Sequence, residues 1–364
     1  METVQDQLLQ LIKAKLPPGD ALGHVLSETL HISMDAAYRR MRNETALTID
    51  ELKRLCKTFD ISFDSLILQQ KTNVIFRYTP LNAYDFSLES YLEGILEAFE
   101  RLRHLEDPKI MLTINNTHFF QLLNFPQLVR FKLFFWAKTH LQIPDYKNVL
   151  FRHEKTTDRA FELGKSILQS YNTIPSVEIF DPELMRGFLR QILYYYKSNQ
   201  FEDPTYALFL CDRLLMFSAH LREQAAHGKK FIYGTQVPAT GNRFEMYLNE
   251  TINADSAFYY ESKDKQGLFL SHNIMNYLQT TDAQYVQDAK QVIDKQLANS
   301  SLLSVVNERE RNNFFADFEK TISMFRKKIE ADLDFLSWHL RFSQLKNKWL
   351  RYSVLRPLVL SQPL

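Results

Sequence analysis

Residues 21–42 decide the fold of the N-terminal part of the chain. They read Ala21-Leu22-Gly23-His24-Val25-Leu26-Ser27-Glu28-Thr29-Leu30-His31-Ile32-Ser33-Met34-Asp35-Ala36-Ala37-Tyr38-Arg39-Arg40-Met41-Arg42. Leucines recur every four residues in the first half, which predicts a short amphipathic helix. Ser33 is a good N-cap for a second helix, and Asp35 lies where a carboxylate complements the helix dipole. The stretch therefore predicts two short helices joined by a tight turn at His31-Ile32.

Helical signals continue on both sides of this pair. A first helix is predicted over Gln5–Leu16 and stops at a Pro-Pro-Gly sequence, after which Asp20 is a candidate cap for the next helix. Thr48 is a candidate cap for a fourth helix, and a short fifth helix is predicted around Phe63–Leu68. Residues 1–68 are thus expected to form a five-helix bundle.

The pair of helices also has the features that close helix crossing requires. Ser27 supplies a small residue at the crossing, and Ala37 and Met41 give the second helix an inner face. At these residues the chain resembles the phage-repressor type of helix-turn-helix domain found in many bacterial regulators, over about Gln5–Leu68. The sequence departs from the family pattern where Ser27 replaces the usual Ala, His31 and Asn43 replace Gly, and Gly23 replaces a polar residue that often touches DNA.

The resemblance implies that the second helix lies in the major groove of double-stranded DNA. Carried over by position, the residues expected to face bases are Ser33, Met34, Asp35 and Ala36. Those expected to face phosphates are Arg39, Arg42 and Thr45, and Arg40 is compatible with either role. Asp35 is suited to accept a hydrogen bond from cytosine N4, or to pair with Arg39 four residues later.

The charge balance favours an alternative function. Residues 1–71 hold nine Lys and Arg against ten Asp and Glu, a net charge of −1. Proteins that bind DNA gain much of their affinity by neutralising phosphates, so an acidic bundle is unfavourable for that role. The alternative is a protein-interaction module in which the bundle docks a partner protein.

The remainder of the chain carries weaker signals. Residues 69–84 are interpreted as a linker and 85–335 as an α-rich effector or dimerisation domain. Within it, Ile110, Leu112 and Ile114 predict one short strand, and Phe258–Glu261 and Leu268–Leu270 predict a hairpin. A seam between two domains is plausible near 229–273. The expected fold class is mainly α, with a small β-hairpin and strand insertion.

Several aromatic and basic patterns have two or three interpretations each. A stripe of apolar residues predicts either a dimer seam or internal core: Phe318, Ile322, Phe325, Ile329, Leu333, Leu336 and Leu340. Three aromatic clusters either line a ligand pocket or belong to the hydrophobic core: Phe119-Phe120, Phe134-Phe135-Trp136 and Tyr194-Tyr195-Tyr196. The tail 336–364 carries five cations among aromatic residues, which suits a helix packed on the body, an interfacial membrane helix or a second phosphate-contacting surface.

Composition and motifs restrict the class of protein. Two cysteines, no signal-peptide pattern and no long apolar run predict a cytoplasmic protein without membrane insertion. No motif for a catalytic site, a cofactor or a metal ion is found. The expected function is a dimeric transcriptional regulator that responds to an unknown small-molecule or protein effector. A third interpretation is an enzyme fused to its own DNA-binding domain.

Overall fold

The computed structural model describes residues 3–17, 19–63, 73–81, 84, 86–115, 117–152, 158–251, 256–273 and 276–353, without the side chains of 158 and 336–353. The chain divides into two compact units, Met1–Phe76 and Arg77–Leu364. Among the described residues, no helix combines the length and the apolar character needed to cross a lipid bilayer.

In the described residues of the N-terminal unit, the regular structure is helical. Its helices are α1 (Val4–Lys15), α2 (Leu22–Leu30), α3 (Met34–Met41) and α4 (Ile49–Thr58). Helices α1 and α4 begin with reciprocal capping boxes, in which Thr3 pairs with Asp6 and Thr48 with Glu51. The core is built from one side of each helix: Leu8, Leu9, Ile12, Leu26, Leu30, Ala37 and Leu55. The predicted fifth helix lies almost entirely outside the described residues.

Two predicted caps of this unit have different outcomes. Ser33 caps α3 by accepting the backbone N–H of Ala36, which confirms the prediction. The cap predicted at Asp20 is wrong, because α2 begins at Leu22 and its N-cap residue is Ala21, whose side chain has no capping oxygen.

The C-terminal unit combines helices with a large sheet. The helices are α5 (Leu88–Arg103), α6 (Phe119–Leu122), α7 (Pro126–Phe135), α8 (Asp158–Thr173), α9 (Arg186–Lys197), α10 (Tyr206–His227), α11 (Ala283–Ala298) and α12 (Glu308–Ser353). A π-helical turn, Trp136–His140, directly follows α7. Gly228 follows α10 in the left-handed conformation, which glycine adopts without the steric cost of a Cβ.

The strands of this unit form one sheet. They are β1 (Arg77–Tyr78), β2 (Lys109–Ile114), β3 (Ser176–Phe180), β4 (Phe244–Leu248), β5 (Ala257–Glu261), β6 (Gln266–His272), β7 (Asn276–Thr280) and β8 (Ser301–Leu302). In the described part of the chain the sheet has the order β1-β7-β6-β5-β2-β3-β4-β8. The pairs β2–β3 and β3–β4 are parallel, and the flanking pairs are antiparallel.

This sheet overturns the prediction of a mainly α domain with a small β insertion. The hairpin is present, since β5 pairs with β6, but it joins a mixed sheet through β2. Every residue of strand β3, Ser176–Phe180, is buried, including the polar Ser176 and Glu178. Because both faces are buried, polar residues included, there is no solvent-facing side for a sequence pattern to mark.

Two boundaries also differ from those expected. Residues 229–273 contain β4, which pairs with β3, β5, which pairs with β2, and β6, which pairs with β5, so no division between compact units falls there. Arg77 and Tyr78, placed in the predicted linker 69–84, pair with Gln279 and Leu278 at the edge of the sheet. A strand of two residues is too short to show a periodic pattern.

The apolar stripe of the last helix packs within its own subunit at its N-terminal end. Phe318, Ile322 and Ile329 on α12 are buried in the main hydrophobic core, to which α10 also contributes. The side chains of Leu336 and Leu340 are not described by the structure, and neither are those of the basic aromatic tail 336–364.

Candidate functional sites

The turn between α2 and α3 is held by backbone and side-chain hydrogen bonds. His31 has φ 55° and ψ 46°, the left-handed conformation that the turn requires. The backbone N–H of Ile32 donates to the carbonyl of Ser27 at 3.1 Å, and the Ser27 hydroxyl donates to the carbonyl of Ile32 at 2.6 Å. These bonds fix where α3 begins, while Ala37 on its inner face is fully buried.

The outer face of α3 carries most of the predicted DNA-facing residues. Met34 and Ala36 are half-buried, whereas Asp35, Arg39 and the loop residue Thr45 are exposed. Ser33, also exposed, uses its hydroxyl to cap the helix. Asp35 and Arg39 form the ion pair expected from their spacing, with 3.1 Å between Oδ2 and Nε.

Arg40 is the exception among the predicted residues. Its guanidinium forms two hydrogen bonds with the Glu51 carboxylate, at 2.7 and 3.1 Å, and donates a third to the carbonyl of Ala36. The side chains of Arg40 and Glu51 are only 13% and 14% exposed. Burial opposes ionisation of Glu51, but hydrogen bonds from Arg40 and Thr48 lower its pKa. The structure therefore places Arg40 in a contact between α3 and α4 rather than on the outer surface.

The loop after α3 is also stabilised by ionic and polar contacts. Arg42 and Glu44 form a bidentate pair at 2.7 and 3.0 Å, in which both side chains are about half exposed. Gln5 on α1 donates to the carbonyls of Arg40 and Thr45 and accepts the backbone N–H of Leu47. This glutamine holds the loop at a fixed distance from the first helix.

Gly23, where the family has a polar residue, has a specific neighbour. A Cβ placed on Gly23 would lie only 3.2 Å from Cζ of Tyr38, so the glycine leaves room for the tyrosine ring. Tyr38 is 42% exposed. Its phenol group lies beside the first turn of α2. Tyr38 is not among the residues that the family resemblance predicts to contact DNA.

The C-terminal unit contains a cavity of about 1180 Å³. It lies among α5, the start of α6, the end of α7, the π-helical turn and the strands β2, β5, β6 and β7. Its aromatic wall includes Phe119 and Phe120, one of the clusters singled out in the sequence. Of the tyrosine triplet, Tyr194 is 56% exposed while Tyr195 and Tyr196 are buried, because three consecutive residues cannot all lie on one face of a helix.

A buried polar network lies beside this cavity. The Glu178 carboxylate on β3, fully buried, contacts His118 Nε2 at 2.7 Å and accepts the Tyr171 hydroxyl at 2.5 Å. Lys230 donates to the carbonyls of Tyr171 and Ile174, at 2.8 and 2.7 Å, and its Nζ lies 3.9 Å from the centre of the Tyr171 ring.

Electrostatics explain how these charges are tolerated. Burial raises the pKa of Glu178, but His118 and then Lys230 outweigh it, so the pKa is lowered overall. Burial lowers the pKa of Lys230 to about 7, and Glu178 opposes that shift. His118 also accepts the backbone N–H of Gln121 at Nδ1, so both ring nitrogens have protein partners. The network fits a structural role better than acid–base catalysis.

Among the residues whose side chains are described, no three His, Cys, Asp or Glu groups come together as a metal site would require. Comparison with models of protein families, with curated proteins and with solved structures finds no match to this chain.

Proposed function

We propose that the chain is a cytoplasmic transcriptional regulator that binds specific sequences in double-stranded DNA as a homodimer. Its N-terminal unit would be a helix-turn-helix domain of the phage-repressor type, and its C-terminal unit would respond to an effector. The observation that carries the proposal is the arrangement of α2, the left-handed His31 and α3, which leaves one face of α3 exposed while Ala37 is buried. In proteins of this class such a face enters the major groove.

The DNA-facing set follows from exposure and pairing. Arg39 and Arg42 are the arginines proposed to contact phosphates, because both are more than half exposed. Their partners Asp35 and Glu44 hold them only through surface ion pairs, which contribute about 0–1 kcal/mol. A DNA phosphate can therefore replace either carboxylate at little cost. Arg40 is not included, since its pairing with Glu51 is mostly buried.

The experiment that tests this function starts with the purified full-length protein and fragments of genomic DNA. Fragments that it retains are sequenced, and a shared inverted repeat with half-sites about 34–36 Å apart is expected. The affinity for that sequence is then measured at several salt concentrations for the wild type and for the variant R39A/R42A. We expect the variant to bind at least about tenfold more weakly and the salt slope to fall by about 2.

A charge-matched control separates this effect from a loss of general attraction. Lys13 and Lys57 are exposed lysines on α1 and α4 of the same unit. The variant K13A/K57A removes the same charge and is expected to retain most of the affinity. Equal behaviour of the two double variants would contradict the assignment of α3 as the DNA-contacting helix.

A second function is favoured by one observation. The two arginines of α3 and the arginine that follows the helix are each paired with a carboxylate of the same unit. They are Arg39, Arg40 and Arg42. This arrangement also suits a bundle that binds a partner protein and does not contact the phosphates of DNA. Recovery of no DNA, or of all fragments equally and only at low salt, would favour this protein-interaction module.

A further inference from the structure

The strongest unassigned feature of the molecule is a buried lysine on the wall of the large cavity. Lys132 lies near the end of α7 and is only 7% exposed. Its ammonium group donates to Gln191 Oε1 at 3.0 Å, a neutral acceptor. No carboxylate lies within ion-pair distance of it in the part of the chain that the structure describes. A buried cation without a counter-ion is costly, which leaves this position suited to an added anion.

Two more donors accompany this lysine on the cavity wall. The Lys132 ammonium lies 5.3 Å from the centre of the Trp136 ring, and the indole Nε1–H of Trp136 is buried without a hydrogen-bond acceptor. The side-chain carbonyl oxygen of Gln191 accepts the hydrogen bond from Lys132, and its amide NH₂ group is a further donor. Trp136 and Gln191 both line the cavity. Trp136 opens the π-helical turn, a rare distortion that often occurs at functional sites.

The wall next to these donors is aromatic. The centre of the Trp136 ring lies 5.8 Å from that of Phe119, which lies 6.0 Å from that of Phe120. Phe120 is in turn 6.1 Å from Phe258. This row of rings leads from the donors along the cavity, and flat aromatic groups pack favourably against such edge and tilted arrangements.

We propose that the cavity binds an aromatic carboxylic acid, with the carboxylate at Lys132, Trp136 and Gln191 and the aromatic body along the row of phenylalanines. The volume of about 1180 Å³ exceeds what a single aromatic acid fills, so extended or substituted acids are within its range. Burial lowers the pKa of Lys132 to about 8, so its ammonium form predominates at neutral pH. This inference deepens the effector role proposed above, but it concerns the C-terminal unit alone and does not depend on DNA binding.

The test uses a matched set of probes and the full-length protein. Calorimetric titrations compare 1-naphthaleneacetate with 1-naphthaleneacetamide, which has the same aromatic body but no charge, and with 1-naphthyl phosphate. We expect the carboxylate to bind at least about tenfold more tightly than the amide, since hydrogen bonds to charged groups are stronger than those between neutral groups. Equal binding of acid and amide, tighter binding of the phosphate, or no binding of the acid would overturn the proposal.

Variants locate the binding site. K132M keeps an unbranched side chain of similar length without the charge and is expected to abolish the preference for the acid. K147M, which removes an exposed lysine that is not on the cavity wall, is the control and should leave both affinities unchanged. If K132M does not fold, as judged by circular dichroism, W136F removes the indole donor and is expected to weaken the acid about threefold to tenfold, and to weaken the amide less because its carbonyl is an uncharged acceptor. Unchanged acid affinity in both variants would contradict the assignment, and failure of DNA binding would leave these results unaffected.

Discussion

The two units place their charged side chains differently, and the difference indicates which charges are available to a ligand. On α3 of the N-terminal unit, Arg39 and Asp35 are 58% and 71% exposed, and their contact is a surface ion pair. In the C-terminal unit, Glu178 and Lys230 are fully buried, and Lys132 is nearly so. Water screens the first kind of pair and makes it weak, whereas a buried charge depends on its few protein partners.

Exchange of partners is therefore inexpensive at one site and costly at the other. A phosphate that approaches Arg39 replaces a carboxylate in water, and the free energy of unfolding changes little. Removal of Glu178 would leave Lys230 without the carboxylate that opposes the shift in its pKa. Lys132 differs from both because no carboxylate partner is present in the described chain, so an incoming anion would add an interaction rather than replace one.

The largest expected effect is the loss of stability in the variant E178Q. The substitution keeps the shape of the side chain but removes the charge that faces His118 and Lys230. We expect the free energy of unfolding of the C-terminal unit to fall by about 3 kcal/mol. Urea unfolding followed by tryptophan fluorescence measures it, because Trp136, Trp338 and Trp349 all belong to that unit.

A matched control and the pH dependence sharpen this test. E202Q removes a carboxylate from an exposed pair with Arg152 and is expected to cost less than about 1 kcal/mol. Because the pKa of Glu178 is lowered in the folded protein, its contribution is present above the unfolded pKa of about 4.3 and lost as the pH falls through the folded value. E178Q should therefore flatten the acid side of the stability profile. Equal losses in both variants would remove the distinction between buried and exposed charges.

The next effect concerns the pH dependence of acid binding by the cavity. The pKa of Lys132 is about 8, so the affinity for 1-naphthaleneacetate is expected to be nearly constant between about pH 6 and about pH 7 and to fall as the pH rises through about 8. Between about pH 7 and about pH 9.5 we expect about a tenfold loss, measured by calorimetry in buffers of equal ionic strength. The K132M variant provides the control and should show a flat profile.

Other groups on the cavity wall do not account for such a change. The charged and titratable groups there include Arg77, Glu97, Arg101, His118, His140, Tyr91 and Tyr277. Burial and then Lys132 lower the pKa of His140, while burial raises those of Tyr91 and Tyr277. A loss of affinity that persists in K132M would assign the titration to another group and contradict the comparison.

A smaller effect is expected when the carboxylates of the surface pairs are neutralised. The variant D35N/E44Q releases Arg39 and Arg42 from their partners without a change of size. If phosphates are the true partners, affinity for the selected DNA should rise about threefold to fivefold, and more at low salt. Quantitative gel-shift titrations at two salt concentrations measure this effect. Unchanged or weaker binding would favour the protein-interaction function, in which the ion pairs themselves form the docking surface.

The sequence predicts the two units unequally well, and the reason is physical. In the N-terminal unit the helix ends are specified by local chemistry, such as the caps at Ser33 and Thr48 and the left-handed His31. In the C-terminal unit the sheet depends on partners far apart in the chain: Met111 pairs with both Val177 and Tyr259. The alternation of Ile110, Leu112 and Ile114 predicts β2 itself, but it does not indicate which distant strands pair with it.

The candidate sites divide in the same way. The positions on α3 follow from the spacing of the helix pair, although the buried contact of Arg40 with Glu51 depends on how α4 packs. The cavity lysine had a signal in the sequence, since Lys132 interrupts the apolar stretch Phe131–Ala137. A lysine within such a stretch suggests either a snorkelling side chain or a buried charge. Only the position of Gln191 and Trp136 around it distinguishes the two.

The smallest expected effect tests how far the left-handed turn limits the stability of the helix pair. His31 has φ 55°, a conformation that glycine adopts without the steric cost of a Cβ. H31G should stabilise the pair by about 0.5 kcal/mol, because relief of this strain exceeds the extra entropy of glycine in the unfolded chain. Hydrogen exchange of peptides from 22–41, read by mass spectrometry, is expected to slow about twofold. H24G, in the exposed first turn of α2, should do the opposite and cost about 0.5 kcal/mol, while exchange in the C-terminal unit stays unchanged in both variants. If H31G exchanged faster, the contacts of the imidazole, rather than backbone strain, would determine which residue the turn prefers.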